Sequence, residues 1–175
     1  MPITVYEDFL DELLIEQCID YSVDQYENQQ FHLKNQNNWG KNIVEDSGPV
    51  YVHVLKQQSD LYQLIYSTVK NKTGYTPASI MFYYWMPTSH ICWHNDLHQT
   101  GAVTIYLNRE WDANHGGLFL YQLGIKNYKV DPSQPIHAIY PLTNRAVLQI
   151  GGEIHAVSCT SSKAQIRRTI QIFLR

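Results

Sequence analysis

The stretch His94-Asn95-Asp96, inside "CWHNDLHQT", sets an imidazole and a carboxylate one residue apart. Side chains alternate faces along a strand, so on a strand both would point the same way. A third metal donor must then come from elsewhere. His155, in "GGEIHAV", sits in a later β-rich run and supplies it. Two histidines and one carboxylate on one side of a metal leave coordination positions open. That set suits non-haem Fe(II), which needs room for O₂ and a co-substrate. Taken alone the pair says little. The chain holds eight histidines, and His94 and Asp96 can equally hydrogen-bond to each other or to a turn.

The C-terminal run "IRRTIQIFLR" adds a second group with chemistry. An Arg opening a strand, with Thr two residues on, puts a planar cationic fork and a hydroxyl on one face, which suits bidentate recognition of a carboxylate. Arg167 and Thr169 share that face with Gln171 and Phe173. Arg168 shares the more apolar face with Ile170, Ile172 and Leu174, so either arginine is a candidate. The plain alternative is that both are surface charges on an edge strand.

Positioning these groups falls to a β-rich second half. "SIMFYYW", "AVTIYLN", "GLFLYQL", "IHAIYPL", "RAVLQIG", "IHAVSC" and "RRTIQIFLR" are short strand-like runs separated by turn residues at fairly even intervals, the pattern of an all-β sandwich or barrel. Ahead of them, "DFLDELLIEQCIDYSVDQY" has helical spacing, with Leu10, Leu13, Leu14, Cys18 and Tyr21 on one face. "SDLYQLIYSTVKNKTG" reads as a second helix, capped by Ser59 and stopped by Gly74. The polar, aperiodic residues 27–49, with Trp39 at their centre, read as a long loop of the kind that serves as a binding loop or lid. The expectation is one domain over residues 1–175. N-terminal helices would occupy about 7–74, and a double-stranded β-helix (jelly roll, cupin-like) core about 77–175.

Composition narrows the function classes. With 13 Lys and Arg against 16 Asp and Glu, the net charge is −3, and no basic run offers an electrostatic footprint for nucleic acid. No apolar stretch approaches the ~18 residues of a membrane span, and the acidic N-terminus does not read as a signal peptide. Three widely spaced cysteines fit neither a zinc motif nor a disulfide framework. A reducing cytoplasm is the expected compartment.

The order His94-x-Asp96, then His155, then Arg167-x-Thr169 resembles the Fe(II)/2-oxoglutarate-dependent dioxygenases, and within them the prolyl 4-hydroxylase-like branch. "TIYLNREWDANHGGLFLY" is similar to the segment that follows the iron motif in oxygen-sensing prolyl hydroxylases. The resemblance is densest over residues 80–175. It implies that His94, Asp96 and His155 hold Fe(II), and that Arg167, Thr169 and Tyr106 receive the far carboxylate of 2-oxoglutarate, with Tyr84 lining the same pocket. O₂ would be consumed, succinate and CO₂ released, and an organic substrate hydroxylated: a prolyl residue, or another peptidyl or free amino acid or small molecule. Ascorbate is a candidate reductant. Related halogenases lack the carboxylate ligand, so Asp96 favours hydroxylation. The His155-to-Arg167 interval is slightly longer than usual in this branch, which keeps Arg168 open as the anchor.

Two other classes compete. A cupin metal enzyme without 2-oxoglutarate usually carries a His-x-His motif, which is absent here. A non-catalytic jelly-roll binding module would not need the complete set. Among the remaining residues, His90 and His98 read as polar strand-end histidines, Trp93 and Trp111 as core or turn anchors, Arg145 as a turn cap and Cys92 as packing. Trp39 is a candidate lid residue.

Overall fold

The β-rich half of the chain folds as two facing antiparallel sheets. The structure, a computed structural model, describes residues 2–33, 47–96, 99–124 and 129–175. Trp39, His98 and the middle of the 27–49 segment lie outside the described residues. The strands are β1 (Ile3–Tyr6), β2 (His32–Leu33), β3 (Val50–Val54), β4 (Pro77–Trp85), β5 (Ile91–His94), β6 (Gly101–Tyr106), β7 (Phe119–Tyr121), β8 (His137–Ile139), β9 (Ala146–Ile150), β10 (His155–Val157) and β11 (Arg167–Leu174). The major sheet runs β1-β9-β6-β11-β4-β3-β2 and the minor sheet β5-β10-β7-β8. This is the double-stranded β-helix that the strand spacing implied.

Alternation along β11 and β4 divides their side chains between two environments. Ile170, Ile172 and Leu174 of β11 and Ile80 and Phe82 of β4 are fully buried. They pack in one core with helices α1 (Glu12–Glu27) and α2 (Asp60–Thr73). The opposite face, carrying Arg167, Thr169, Gln171 and Phe173, looks toward the minor sheet. Pairing fixes the phase: Arg167 lies opposite Trp85, Thr169 opposite Tyr83 and Gln171 opposite Met81.

Helix α2 starts and stops as its sequence dictates. Ser59 accepts from Tyr62 N at 3.2 Å, and Gly74 takes the left-handed conformation (φ 78°). Helix α1 differs from the reading in phase. Asp11 is its N-cap, so Leu10 packs in the core ahead of the helix while Leu13 stands 71 % exposed. The buried stripe is Leu14, Ile15, Cys18, Ile19 and Ser22. The helix also runs to Glu27, where a loop was expected, and His32–Leu33 pairs with Tyr51–Val52. "VYVHV", to which the sequence reading gave no element, is β3. It widens the major sheet because Val50 and Val52 alternate inward beside Trp85 and Tyr83. Among the described residues, the stretch before Pro77 is therefore β1, then two helices with two strands of the major sheet between them.

Asn144 ties the N-terminal segment to the sheets. It is 8 % exposed with φ 58°, a left-handed conformation that Asn tolerates better than most residues. Its side chain accepts from Leu10 N at 2.9 Å and donates to Leu10 O at 2.8 Å. Asn144→Ala leaves both backbone groups without a partner and strains the turn. Urea denaturation is expected to show a loss of about 2–4 kcal/mol, and Asn144→Gly, which removes the strain, should lose less. Equal stability of all three proteins contradicts this role.

Candidate metal centre and anion pocket

His94 closes β5 and His155 opens β10, and the register sets them opposite each other, with ring centroids 4.1 Å apart. Asp96 follows two residues after His94, just past the strand end, so the pairing on a strand assumed from the sequence is replaced by a strand end and the turn beyond it. Its Oδ2 lies 3.6 Å from His155 Nε2. The three residues each present one donor atom, all within 4.8 Å of one another.

The other ring nitrogens orient the imidazoles. His94 Nδ1 is 2.8 Å from the Cys92 carbonyl, and His155 Nδ1 is 3.0 Å from the Glu153 carbonyl. Each carbonyl accepts a proton on Nδ1, which leaves the Nε2 lone pair for a metal. Gln149, 3 % exposed on β9, reaches across to the same place. Its Nε2 lies 2.9 Å from His155 Nδ1 and donates to the Glu153 carbonyl at 2.9 Å. Phe119 stacks on the His155 ring at 5.4 Å. Burial, with His94 adding to it, holds the His155 pKa down at about 4. The ring is therefore neutral at physiological pH, as a metal ligand must be.

The second group is Arg167, 1 % exposed. Its guanidinium lies 5.2 Å from the Trp85 ring centroid and 5.0 Å from that of Tyr106. None of its three nitrogens, nor the Tyr106 hydroxyl, completes a hydrogen bond with any described residue. Burial pushes the Arg167 pKa down and the Tyr106 pKa up, and their mutual contact opposes both shifts. A buried cation without a counter-ion among the described residues costs several kcal/mol, and the planar guanidinium beside a hydroxyl has the donor geometry to receive an anion with two oxygens in a plane. Asn108 fixes the start of β11 by donating to Ile166 O at 2.8 Å and accepting from Arg168 N at 2.7 Å. Gly117 clears the way for the arginine. Its φ is 67°, and a Cβ there would stand 2.9 Å from Arg167 Cδ.

A cavity of about 420 Å³, lined by His94, Asp96, His155 and Arg167 among others, joins the two groups. Its size lies in the range of small-molecule sites, roughly 300–1,000 Å³.

The cavity takes some of the residues singled out from sequence and not others. Arg167 faces it. Arg168 lies on the opposite face, beside Tyr84, on the flank of α1. Thr169 is buried, and its hydroxyl accepts from Trp85 Nε1 at 3.2 Å. Tyr84, expected in the co-substrate pocket, is one residue out of phase. Its hydroxyl donates to Ser22 at 3.3 Å on the helix face, where its ring packs on Phe31 and Tyr26. Tyr83 and Trp85 line the cavity instead. In "FYYW" both faces are aromatic or apolar, so parity alone gives no phase; the antiparallel pairing with Arg167 does. Trp111 anchors a turn through Gly116 O at 2.9 Å, and Arg145 binds Glu7 and Tyr140 O. Gln149 carried no motif that could have marked it. The end of the 27–49 segment meets the metal strand: Ser47 Oγ accepts from Cys92 N at 3.3 Å, and Gly48 N donates to His90 O at 3.0 Å.

No family model and no curated protein matches the sequence. Solved structures do match. A prolyl-4-hydroxylase of Pseudomonas putida aligns with TM-score 0.73 at 13 % identity, over 99 % of this chain and 92 % of its own. A Trichoplax adhaerens prolyl hydroxylase in complex with a hypoxia inducible factor peptide gives 0.76 at 15 %, over 99 % and 83 %. The epimerase SnoN of nogalamycin biosynthesis, in complex with Fe³⁺ and α-ketoglutarate, gives 0.69 at 10 %, over 99 % and 78 %. The fold is therefore the jelly roll of prolyl 4-hydroxylases and other 2-oxoglutarate oxygenases.

The state of His155 gives a pH dependence. The unfolded ring takes up a proton near pH 6.5 and the folded ring near 4. Between these values the unfolded chain binds more protons, so stability falls as pH falls. The metal-free protein is expected to lose stability progressively as pH falls through this window. His155→Gln should show a shallower slope in urea midpoints taken at several pH values. An identical slope in both proteins contradicts the assignment.

Proposed function

We propose that this protein is a non-haem Fe(II)- and 2-oxoglutarate-dependent oxygenase that hydroxylates an organic substrate. The observation that carries this reading is the unpaired, buried Arg167 guanidinium and Tyr106 hydroxyl in the same cavity as an open His-Asp-His face. The donor set suits Fe(II), and the orphaned cation suits the distal carboxylate of a dicarboxylic co-substrate.

In this reading His94, Asp96 and His155 hold the metal through Nε2, a carboxylate oxygen and Nε2. Arg167 receives the 5-carboxylate with two N–H donors, and the Tyr106 hydroxyl donates a third hydrogen bond. Thr169 acts at one remove by holding the Trp85 indole against the guanidinium. Tyr83, Trp85 and Phe119 wall the site and exclude water. Iron and 2-oxoglutarate, when bound, supply oxidative decarboxylation to succinate and CO₂ and the transfer of one oxygen atom of O₂ to the substrate. A peptidyl or free amino acid, prolyl included, is the proposed substrate, by analogy with the Trichoplax neighbour, which binds a peptide. One domain spanning 1–175 and a cytoplasmic setting belong to the same proposal. No helix among the described residues is long and apolar enough to cross a membrane.

The test is succinate release from 2-oxoglutarate with Fe(II), O₂ and ascorbate, without added substrate. The parent is expected to turn over slowly and Asp96→Ala not at all. Arg167→Ala should weaken 2-oxoglutarate on the order of 30- to 3000-fold, as for a truncated buried charge pair of about 2–5 kcal/mol. Arg168→Ala, on the other face, should cost far less. Retained turnover in Asp96→Ala, or the larger loss in Arg168→Ala, overturns the assignment.

A further inference from the structure

Past the metal, the cavity continues along β11 to Gln171 and Phe173. Gln171 stands four residues from Arg167, about 13 Å along the strand at ~3.3 Å per residue, which is longer than a five-carbon diacid. This end therefore belongs to whatever binds beside the co-substrate. Thr104, on the neighbouring β6, donates its hydroxyl proton to Gln171 Oε1 at 2.7 Å. The bond commits the carbonyl end of the amide and leaves Nε2, with its two protons, free to serve an acceptor in the cavity that Gln171 lines. No described residue accepts from it.

The surroundings are apolar or neutral. Met81 lies directly across from Gln171, Val54 lies beside Met81, and Phe173 follows two residues on. Among the described lining residues, Asp96 and Arg167 are the only Asp, Glu, Lys or Arg, and both have other tasks. A carboxylate, phosphate or ammonium placed here would lose its hydration with no counter-ion among the described residues to replace it, at a cost far above that of a neutral group.

We propose that Gln171, oriented by Thr104, selects an uncharged substrate by donating a hydrogen bond to its carbonyl oxygen, with Met81, Val54 and Phe173 holding an aliphatic body next to it. The placement of this group beside a reacting centre rests on the oxygenase reading; the binding preference does not. The carbonyl can belong to a peptide backbone or to a small free amide.

Three probes with the same leucine side chain separate the charge states: N-acetyl-L-leucine methylamide (neutral), N-acetyl-L-leucinate (anion) and L-leucine methylamide (cation). Ligand-observed NMR is run on the parent protein, both metal-free and loaded with Zn(II) and 2-oxoglutarate. The neutral probe is expected to bind at least about tenfold more tightly than either charged one. Gln171→Leu should weaken it about tenfold, the worth of one hydrogen bond. Thr104→Val, which keeps the shape, should weaken it less and preserve the order. Gln171→Glu should reverse the order, so that the cation binds better than the neutral probe, a result that mere loss of structure does not produce. A blocked tripeptide that competes more strongly than the single blocked residue assigns the carbonyl to a peptide; equal competition assigns it to a small amide. Equal or tighter binding of a charged probe to the parent, no binding of any probe, or an unchanged order in Gln171→Glu overturns the proposal. If the neutral probe binds as expected but no succinate is ever released, the oxygenase reading fails and the charge selection stands.

Discussion

A guanidinium held 1 % exposed with none of its three nitrogens satisfied is the constraint on which the rest of the site depends. Burying such a charge costs more than two aromatic faces return, so Arg167 is a stability cost that the fold carries. Several features hold it there. Gly117 removes a Cβ from its path. Asn108 fixes the backbone on either side of it. Trp85, braced by Thr169, and Tyr106 make the walls. The fully buried ribs of β11 and β4 on the helix side, Ile170, Ile172, Ile80 and Phe82, hold the strand rigidly enough to bear the load.

The grouping of the triad with Arg167 depends on the facing of two sheets rather than on one. His94 and His155 belong to the minor sheet, and Arg167 to the major sheet. Gln149 is the side chain that joins them, since it leaves β9 and meets the His155 ring. In the same arrangement Phe119 and Val157 line the cavity from the minor sheet, and Val54, Met81 and Phe173 line it from the major sheet. An epimerase and prolyl hydroxylases stand among the structural neighbours, so the jelly roll alone does not fix a reaction.

Much of this was legible in the residues, and the exceptions have physical reasons. The fold was readable because seven strand-like runs with turn residues between them leave few alternatives. The convergence of His94, Asp96 and His155 was readable from their order along the chain with Arg167-x-Thr169 downstream, although Asp96 comes from beyond the strand end rather than from the strand. Arg167 could not be told from Arg168 until pairing with β4 fixed the face. Tyr84 was misplaced for the same reason: in Phe82-Tyr83-Tyr84-Trp85 both faces carry large rings, so composition gives no phase. Leu13 left the buried stripe, while Leu10 stayed buried ahead of the helix, because the cap at Asp11 set the helix start later than the acidic run suggested. Gln149 and Thr104 were invisible, since their roles come from cross-strand and cross-sheet neighbours that no local spacing records.

The central claim is that the metal triad and the Arg167 socket form one site bridged by one molecule. Coupling between them measures this directly. Affinities of 2-oxoglutarate and of glutarate, which has the same distal carboxylate but no keto group, are determined calorimetrically with and without Co(II). One bridged site requires that Co(II) tighten 2-oxoglutarate at least about tenfold, or ~1.4 kcal/mol, and change glutarate much less. Equal affinity of 2-oxoglutarate with and without the metal would mean that the two groups act independently, and would contradict the account.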